Sequence, residues 1–372
     1  MLSNNLPYLV LILLYFILFY IELRLPQQRN KISQICFIIY LFFFGFRGLI
    51  GTDWYNYQIE YDFLGNSMSY TSTLEQGFQF IVYICNSIGL SYYNFVFVIT
   101  TLQSVLLYKI LDYHAKYISL SYIILIAIFP IVIVDLLRNF TSLLIVMSGL
   151  PYLLRNRKGV FVGYILLGMT FHTSAIVFGV LFFIKNKLLA KKVIIYLSII
   201  GSLVYIFQIN FYKDLLLLIG AMTGGRIEYL IEQTTGKEEV AYGISVGIIE
   251  KFIILYLIIK NYNKVKMSNV LWVNCLLIYV FVNLYFNTSQ SFVNRFATLF
   301  MFGYIFILND FMYYYKSKFN VNFSLIAICS FLILRTFLGY SGDIYNYSNS
   351  LLGDDNWNVR YGTRESHYLD RK

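Results

Sequence analysis

Apolar runs approaching the ~20 residues that a helix needs to cross bilayer hydrocarbon recur along the whole chain. Read in order, they predict helices over Leu6–Leu23, Ile32–Leu49, Tyr93–Leu111, Lys116–Val134, Leu136–Leu154, Val193–Asn210, Ile244–Ile259, Val270–Phe286, Phe292–Asp310 and Asn322–Tyr340. Two stretches need a further argument. Gly159–Lys185 is too long for one straight crossing, and the polar triplet His172-Thr173-Ser174 divides it into two short helices meeting at His172. Gly77–Gly89 is a short apolar stretch that Gly89 ends before the next helix.

Composition agrees with a lipid solvent. The chain of 372 residues is 59% apolar and only 13% charged, too few charges to cover a soluble globule of this size. No basic residue precedes the first run and no small-residue cleavage site follows it, so it reads as a retained helix. The net charge of +10 is a topology signal, and no nucleic-acid partner is expected. If Gly77–Gly89 dips in and returns, the clusters at 24–31, 109–116, 155–158, 185–192, 260–266 and 316–318 share one side. That side carries seventeen basic residues against the acids Glu22, Asp112 and Asp310. Basic loops are cytoplasmic, so the expected fold is an all-α polytopic integral membrane protein with about twelve transmembrane helices, a short re-entrant or interfacial segment and both termini outside. Its transmembrane domain covers residues 1–341, with outer loops 51–76 and 211–243, followed by a polar extracytoplasmic tail at 342–372 expected to be mobile. Phe211–Met222 has the charged start and apolar body of an interfacial helix. Cys36, Cys85, Cys275 and Cys329 lie singly in apolar segments and read as small hydrophobes. No fixed-period repeat is visible, which weighs against a transporter built from repeats.

Charged groups at membrane depth are costly and become functional candidates by default. This topology brings most of them to the outer level: Arg47 in the last turn of the second helix, Arg138 in the first turn of its helix, His172 at the break between short helices, Arg295 near a helix start, and Arg335 about a turn below the outer end of the last helix. Arg226 lies in the second outer loop, and Asp53 and Glu75 bracket the first. A guanidinium grips phosphate oxygens through a planar fork and stays charged, so a ring of Arg suits a polyanionic ligand such as a departing diphosphate. Simpler roles stand beside these. Arg138 follows Asp135 by three positions and could pair with it along one helix face, Arg47 could pair with Asp53, His172 could cap a helix or hold water, and Arg335 could snorkel.

The stretch Arg47-Gly48-Leu49-Ile50-Gly51-Thr52-Asp53-Trp54-Tyr55-Asn56-Tyr57 resembles the RxxxGTDxxxY element of EpsG-type proteins, which belong with the Wzy-like polysaccharide polymerases. Glu75-Gln76-Gly77-Phe78, Leu137-Arg138-Asn139-Phe140, Phe171-His172-Thr173-Ser174-Ala175 and Asn294-Arg295-Phe296 resemble further elements of that family in the same order, over roughly residues 1 to 340. The resemblance implies an extracytoplasmic glycosyltransferase of the bacterial cell membrane. It would polymerise undecaprenyl-diphosphate-linked oligosaccharide repeats, as both donor and acceptor, into capsule, exopolysaccharide or O-antigen, alongside other polysaccharide-assembly proteins. The implied site takes its proton-transfer group from His172, Asp53 and Glu75, and its diphosphate ligands from Arg47, Arg138, Arg295 and Arg226. No DxD or other metal cluster is evident, so a metal-independent, cofactor-free reaction with Arg at the leaving group is expected. Two other functions remain compatible: a lipid-linked oligosaccharide flippase, which needs a cationic cavity but forms no bond, and a membrane O-acyltransferase acting on polysaccharide, with His172 as base.

Overall fold

The computed structural model describes residues 2–66, 74–212, 245–263, 270–288, 293, 296–315, 321–353 and 355–369. Helices and short 3₁₀ turns make up the regular structure among these residues, with no strand beyond one isolated bridge. The chain divides into two compact units, Met1–Gly179 with Asn309–Lys372, and Val180–Leu308.

The first unit opens with α1 (Leu2–Arg24) and α2 (Arg29–Gly45), followed by α3 (Trp54–Asn66), α4 (Gln76–Ser87) and α5 (Tyr92–His114). Next come α6 (Ile118–Ile128), α7 (Pro130–Val134), α8 (Leu137–Ser148), α9 (Leu150–Leu154) and α10 (Lys158–Met169). Among the described residues, Asn5–Arg24, Tyr92–His114 and Leu137–Leu154 are long and apolar enough to cross a membrane, and shorter apolar helices accompany them. Large apolar side chains remain exposed on many helices, Phe80 and Ile17 among them, as a lipid solvent permits and water does not.

The centre of this unit is α6, all eleven of whose residues are buried. In such a setting the free N–H groups of a helix start must find protein acceptors. Glu22 supplies them: its carboxylate accepts the Ile118 and Ser119 N–H groups and the Ser119 hydroxyl. Asn309 Oδ1 accepts the Tyr117 N–H at 2.7 Å. Two predicted spans are broken. Residues 116–134 divide at Phe129, because Pro130 has no N–H and pushes the preceding residue out of the helical region. Residues 136–154 divide at Gly149, just before Pro151. The break expected at His172 is present, although the segment beyond it is a 3₁₀ helix, Thr173–Val180. With 12 residues, α4 is ~18 Å long, well short of the ~30 Å hydrocarbon.

The second unit contains α11 (Leu181–Ile184), α12 (Lys191–Ile206), α13 (Val246–Lys260) and α14 (Val270–Tyr285), and its range runs into α15 (Met301–Tyr315). Within it α12 and α13 pack on α14, whose Asn274 amide donates to the carbonyls of Ile184 and Lys187. The interfacial helix expected over Phe211–Met222 lies almost wholly outside the described residues. The first unit closes with α16 (Val321–Gly339), packed on α1 and α6, and α17 (Trp357–Leu369).

Candidate functional site

Arg47 is not in the second helix, which stops at Gly45. Residues 46–51 leave it as an irregular loop and pair with the chain after α16. Gly48 N–H donates to Ser348 O at 2.9 Å, Gly51 N–H to Ile344 O at 2.8 Å and Ser350 N–H to Phe46 O at 2.8 Å, while Arg47 bridges Asn349. Glycine is dictated twice here. A Cβ on Gly48 would collide with Ser348 and Asp355, and Gly51 has φ +89° and lies against Asp135. The tail, expected to be mobile, is therefore part of the site. Asp355 accepts from Leu49 N–H at 2.7 Å, Tyr93 Oη at 3.0 Å, Ser348 Oγ at 2.9 Å and Arg360 Nε at 3.0 Å.

The loop holds Arg47 only 4% exposed. Its Nη1 donates to Phe44 O at 2.7 Å and to Thr100 Oγ1 at 3.2 Å, and it forms no ion pair, with Asp53 or any other described carboxylate. It lines a small cavity with Trp54, Tyr57, Tyr92 and Tyr93. Across the loop, Asp135 Oδ1 accepts the N–H groups of Thr52 at 2.5 Å and Asp53 at 3.2 Å, and Tyr345 Oη donates to Oδ2 at 3.3 Å. Burial first, and the neighbouring Asp53 carboxylate second, push the Asp135 carboxyl up to about 7. Asp53 itself is half-buried, its Oδ1 3.5 Å from Thr52 Oγ1.

Glu75 and Arg138, far apart in sequence, form an ion pair of 2.6 Å. The alternative pairing of Arg138 with Asp135 does not occur, because Asp135 lies in the turn before α8 and is spent on the Thr52–Asp53 backbone. The second oxygen of Glu75 accepts the Thr173 N–H at 3.3 Å, and the Gly77 N–H donates to Thr170 O at 2.8 Å. Three separate sequence elements thus meet on one carboxylate. The Arg138 guanidinium lies 5.8 Å from the centre of the ring of Tyr57, which also lines the Arg47 cavity. Arg138 Nε is buried and makes no hydrogen bond among the described residues, which leaves it an unspent donor. His172 Nδ1 accepts the Ser174 N–H at 3.2 Å and lies 2.8 Å from Ser174 Oγ. In the neutral ring the proton therefore resides on Nε2.

The structure brings together Arg47, Asp53, Glu75, Arg138 and His172. Arg226 and Arg295 lie outside the described residues. Arg335 belongs to α16. Asp135, Tyr57, Tyr345 and Asp355 are additions. Asp135 was visible as an acid between apolar runs, whereas the tail residues carried no hydropathy signal. Among the described residues no group of three His, Cys, Asp or Glu is placed to hold a metal ion.

Apolar helices around a cluster of arginines and carboxylates define the class as a helical membrane protein with a buried polar cluster. The match to the EpsG family model over residues 30–349 is more particular, and it covers most of the chain: this protein belongs to the EpsG family. The family links the chain to exopolysaccharide polymerisation of a glycosyltransferase kind and to a membrane setting. No curated protein and no solved structure matches it.

Proposed function

We propose that this protein is an extracytoplasmic glycosyltransferase that extends a polysaccharide from undecaprenyl-diphosphate-linked oligosaccharide repeats. In this reading it crosses the bacterial cell membrane about twelve times, with α4 as a re-entrant or interfacial element and the arginine cluster on the outer side. The observation that carries the proposal is the buried guanidinium of Arg47, which forms no ion pair and lines a cavity with Tyr57, together with the unspent Nε donor of Arg138, whose guanidinium lies near the same Tyr57 ring. A buried cation without a counter-ion is costly, and an arriving diphosphate would repay that cost.

The acceptor hydroxyl oxygen attacks the donor's anomeric carbon as the bond to the diphosphate oxygen breaks, and the diphosphate leaves with the electron pair. Arg47 and Arg138 neutralise the charge that accumulates on it. Glu75 is committed to Arg138 and Thr173, so it positions the arginine rather than moving a proton. His172 presents Nε2–H as a donor to substrate oxygen. Asp53 is the carboxylate assigned to take the acceptor proton. Arg226 and Arg295 are assigned to the same diphosphate.

The test is incubation of purified protein in nanodiscs with a defined undecaprenyl-diphosphate repeat, followed by separation of lipid-linked products. Successively longer products are expected. Arg47→Lys and Arg138→Lys, which keep charge but lose the fork, should each slow elongation at least ~10-fold. Near-normal elongation by both folded variants would remove the clamp, and a substrate that is moved across the bilayer but never extended would favour the flippase.

A further inference from the structure

The family match ends at residue 349, just before α17. That helix nevertheless lies on the signature loop. Arg364 Nε donates to Thr52 O at 3.0 Å and its guanidinium covers the Tyr55 ring at 4.6 Å. Trp357 and Tyr361, one turn apart, stack with ring centres 5.1 Å apart and planes 4° from parallel, and Tyr55 packs against Tyr361 at 5.2 Å. The Trp357 indole N–H is spent on Gln58 Oε1 at 3.1 Å, which fixes the ring and leaves the Gln58 amide N–H groups as unspent donors among the described residues. Trp357 is 41% exposed.

We infer that Trp357, Tyr361 and Tyr55 form a carbohydrate-stacking subsite, which seats the glycan of the acceptor or growing chain beside the arginine cluster; this rests on the polymerase reading. A pyranose presents an apolar C–H face bordered by hydroxyls, and the surface offers the matching pair: aromatic faces and neighbouring amide side chains from Gln58, Asn56 and Asn358. The alternative seat for an exposed Trp, the bilayer interface, calls for a helix with a broad apolar face. In α17, Arg364 and Glu365 border the strip of Trp357 and Tyr361 on its two sides, which leaves it narrow. Because Trp357 and Tyr361 lie beyond the region shared with the family, while Tyr55 lies within it, α17 is the element suited to distinguish this chain's sugars from those of its relatives.

Tryptophan quenching tests this directly, because Trp54 and Trp272 are buried at 5% and 2% exposure and Trp357 dominates collisional quenching by acrylamide. The probes are lipid-free oligosaccharides cut from the surface polysaccharide of cells carrying the gene, added to the full-length protein in detergent. Bound oligosaccharide should lower the quenching constant at least twofold. Tyr361→Ala should abolish that protection while Tyr361→Phe preserves it, and both Trp357→Ala and Tyr361→Ala should yield shorter products. Unchanged quenching with every oligosaccharide, or protection by phosphatidylethanolamine–phosphatidylglycerol vesicles alone, overturns the subsite. Protection by sugar without any elongation upholds the subsite and sinks the polymerase reading; normal elongation by Trp357→Ala and by an unprotected Tyr361→Ala does the reverse.

Discussion

Asp135 shows how one buried carboxylate shapes a loop through its backbone. Its oxygens take the backbone N–H groups of Thr52 and Asp53, so the loop bearing the proposed base takes its shape from this residue. Its folded-state pKa of about 7 lies above the ordinary 3.8, so the native protein holds a proton that the unfolded chain releases. The stability this contributes is complete below pH ~4 and is lost as pH rises through ~7, at a slope of at most ~1.4 kcal/mol per pH unit. Thermal unfolding from pH 4 to 8 should show that fall, and Asp135→Asn should flatten it; an unchanged profile in the variant would assign the dependence to another group. His172 gives a second residue-scale expectation. If Nε2–H is the working atom, Gln, which keeps a donor, should lose less turnover than Ala, with the two separated by ~10-fold or more. Equal, complete loss in both variants would return His172 to the role of base. Local rules read Glu75, Arg138 and His172 individually as candidates, but the Glu75–Arg138 pair spans two loops and was not legible. The local pairing of Arg138 with Asp135 failed because three-residue spacing brings side chains together only within a helix, and α8 begins after Asp135.

At the scale of elements, hydropathy located nearly every described apolar helix, because burial in lipid or protein depends on the same residues. It missed the breaks at Pro130 and Gly149, where backbone chemistry overrides an apolar run. It also misread the tail. Residues 342–369 contain little apolar surface, and they are held instead by backbone pairing, the Asp355 hydrogen bonds and aromatic edges. Such contacts are specific in geometry and invisible to a hydrophobicity scale. Two variants measure their worth. Gly48→Ala places a methyl group against Ser348 and Asp355, and ending the chain at Asn349 deletes Asp355, Arg360 and α17. Both should insert normally, melt at lower temperature and elongate at least ~10-fold more slowly than wild type, since one good geometric contact at a reacting centre is worth that much. Full activity in both would make the clasp dispensable.

The whole molecule is expected to be sided by its basic loops, and the site's location depends on that sidedness. A cysteine at Asn56 or Asn356 should react with an impermeant maleimide added to intact cells, and one at Lys187 should react only after the membrane is opened. The native background favours the experiment, because Cys36, Cys85 and Cys275 are buried and Cys329 is half-buried. Labelling at Lys187 alone in intact cells would invert the orientation and place the arginine cluster in the cytoplasm.

The pairing of residues 46–51 with residues 344–355 also has a consequence during synthesis. At ~5–20 residues per second, the ribosome takes roughly 15–60 s to supply the second partner after the first has emerged. Throughout that interval the loop carrying Arg47 and Asp53 has no strand to lie against and no acceptor for its Gly48 and Gly51 amides. A chain released early can be threaded into the membrane yet hold an unformed centre, so only a fully translated copy is competent to draw on the cell's lipid-linked precursors.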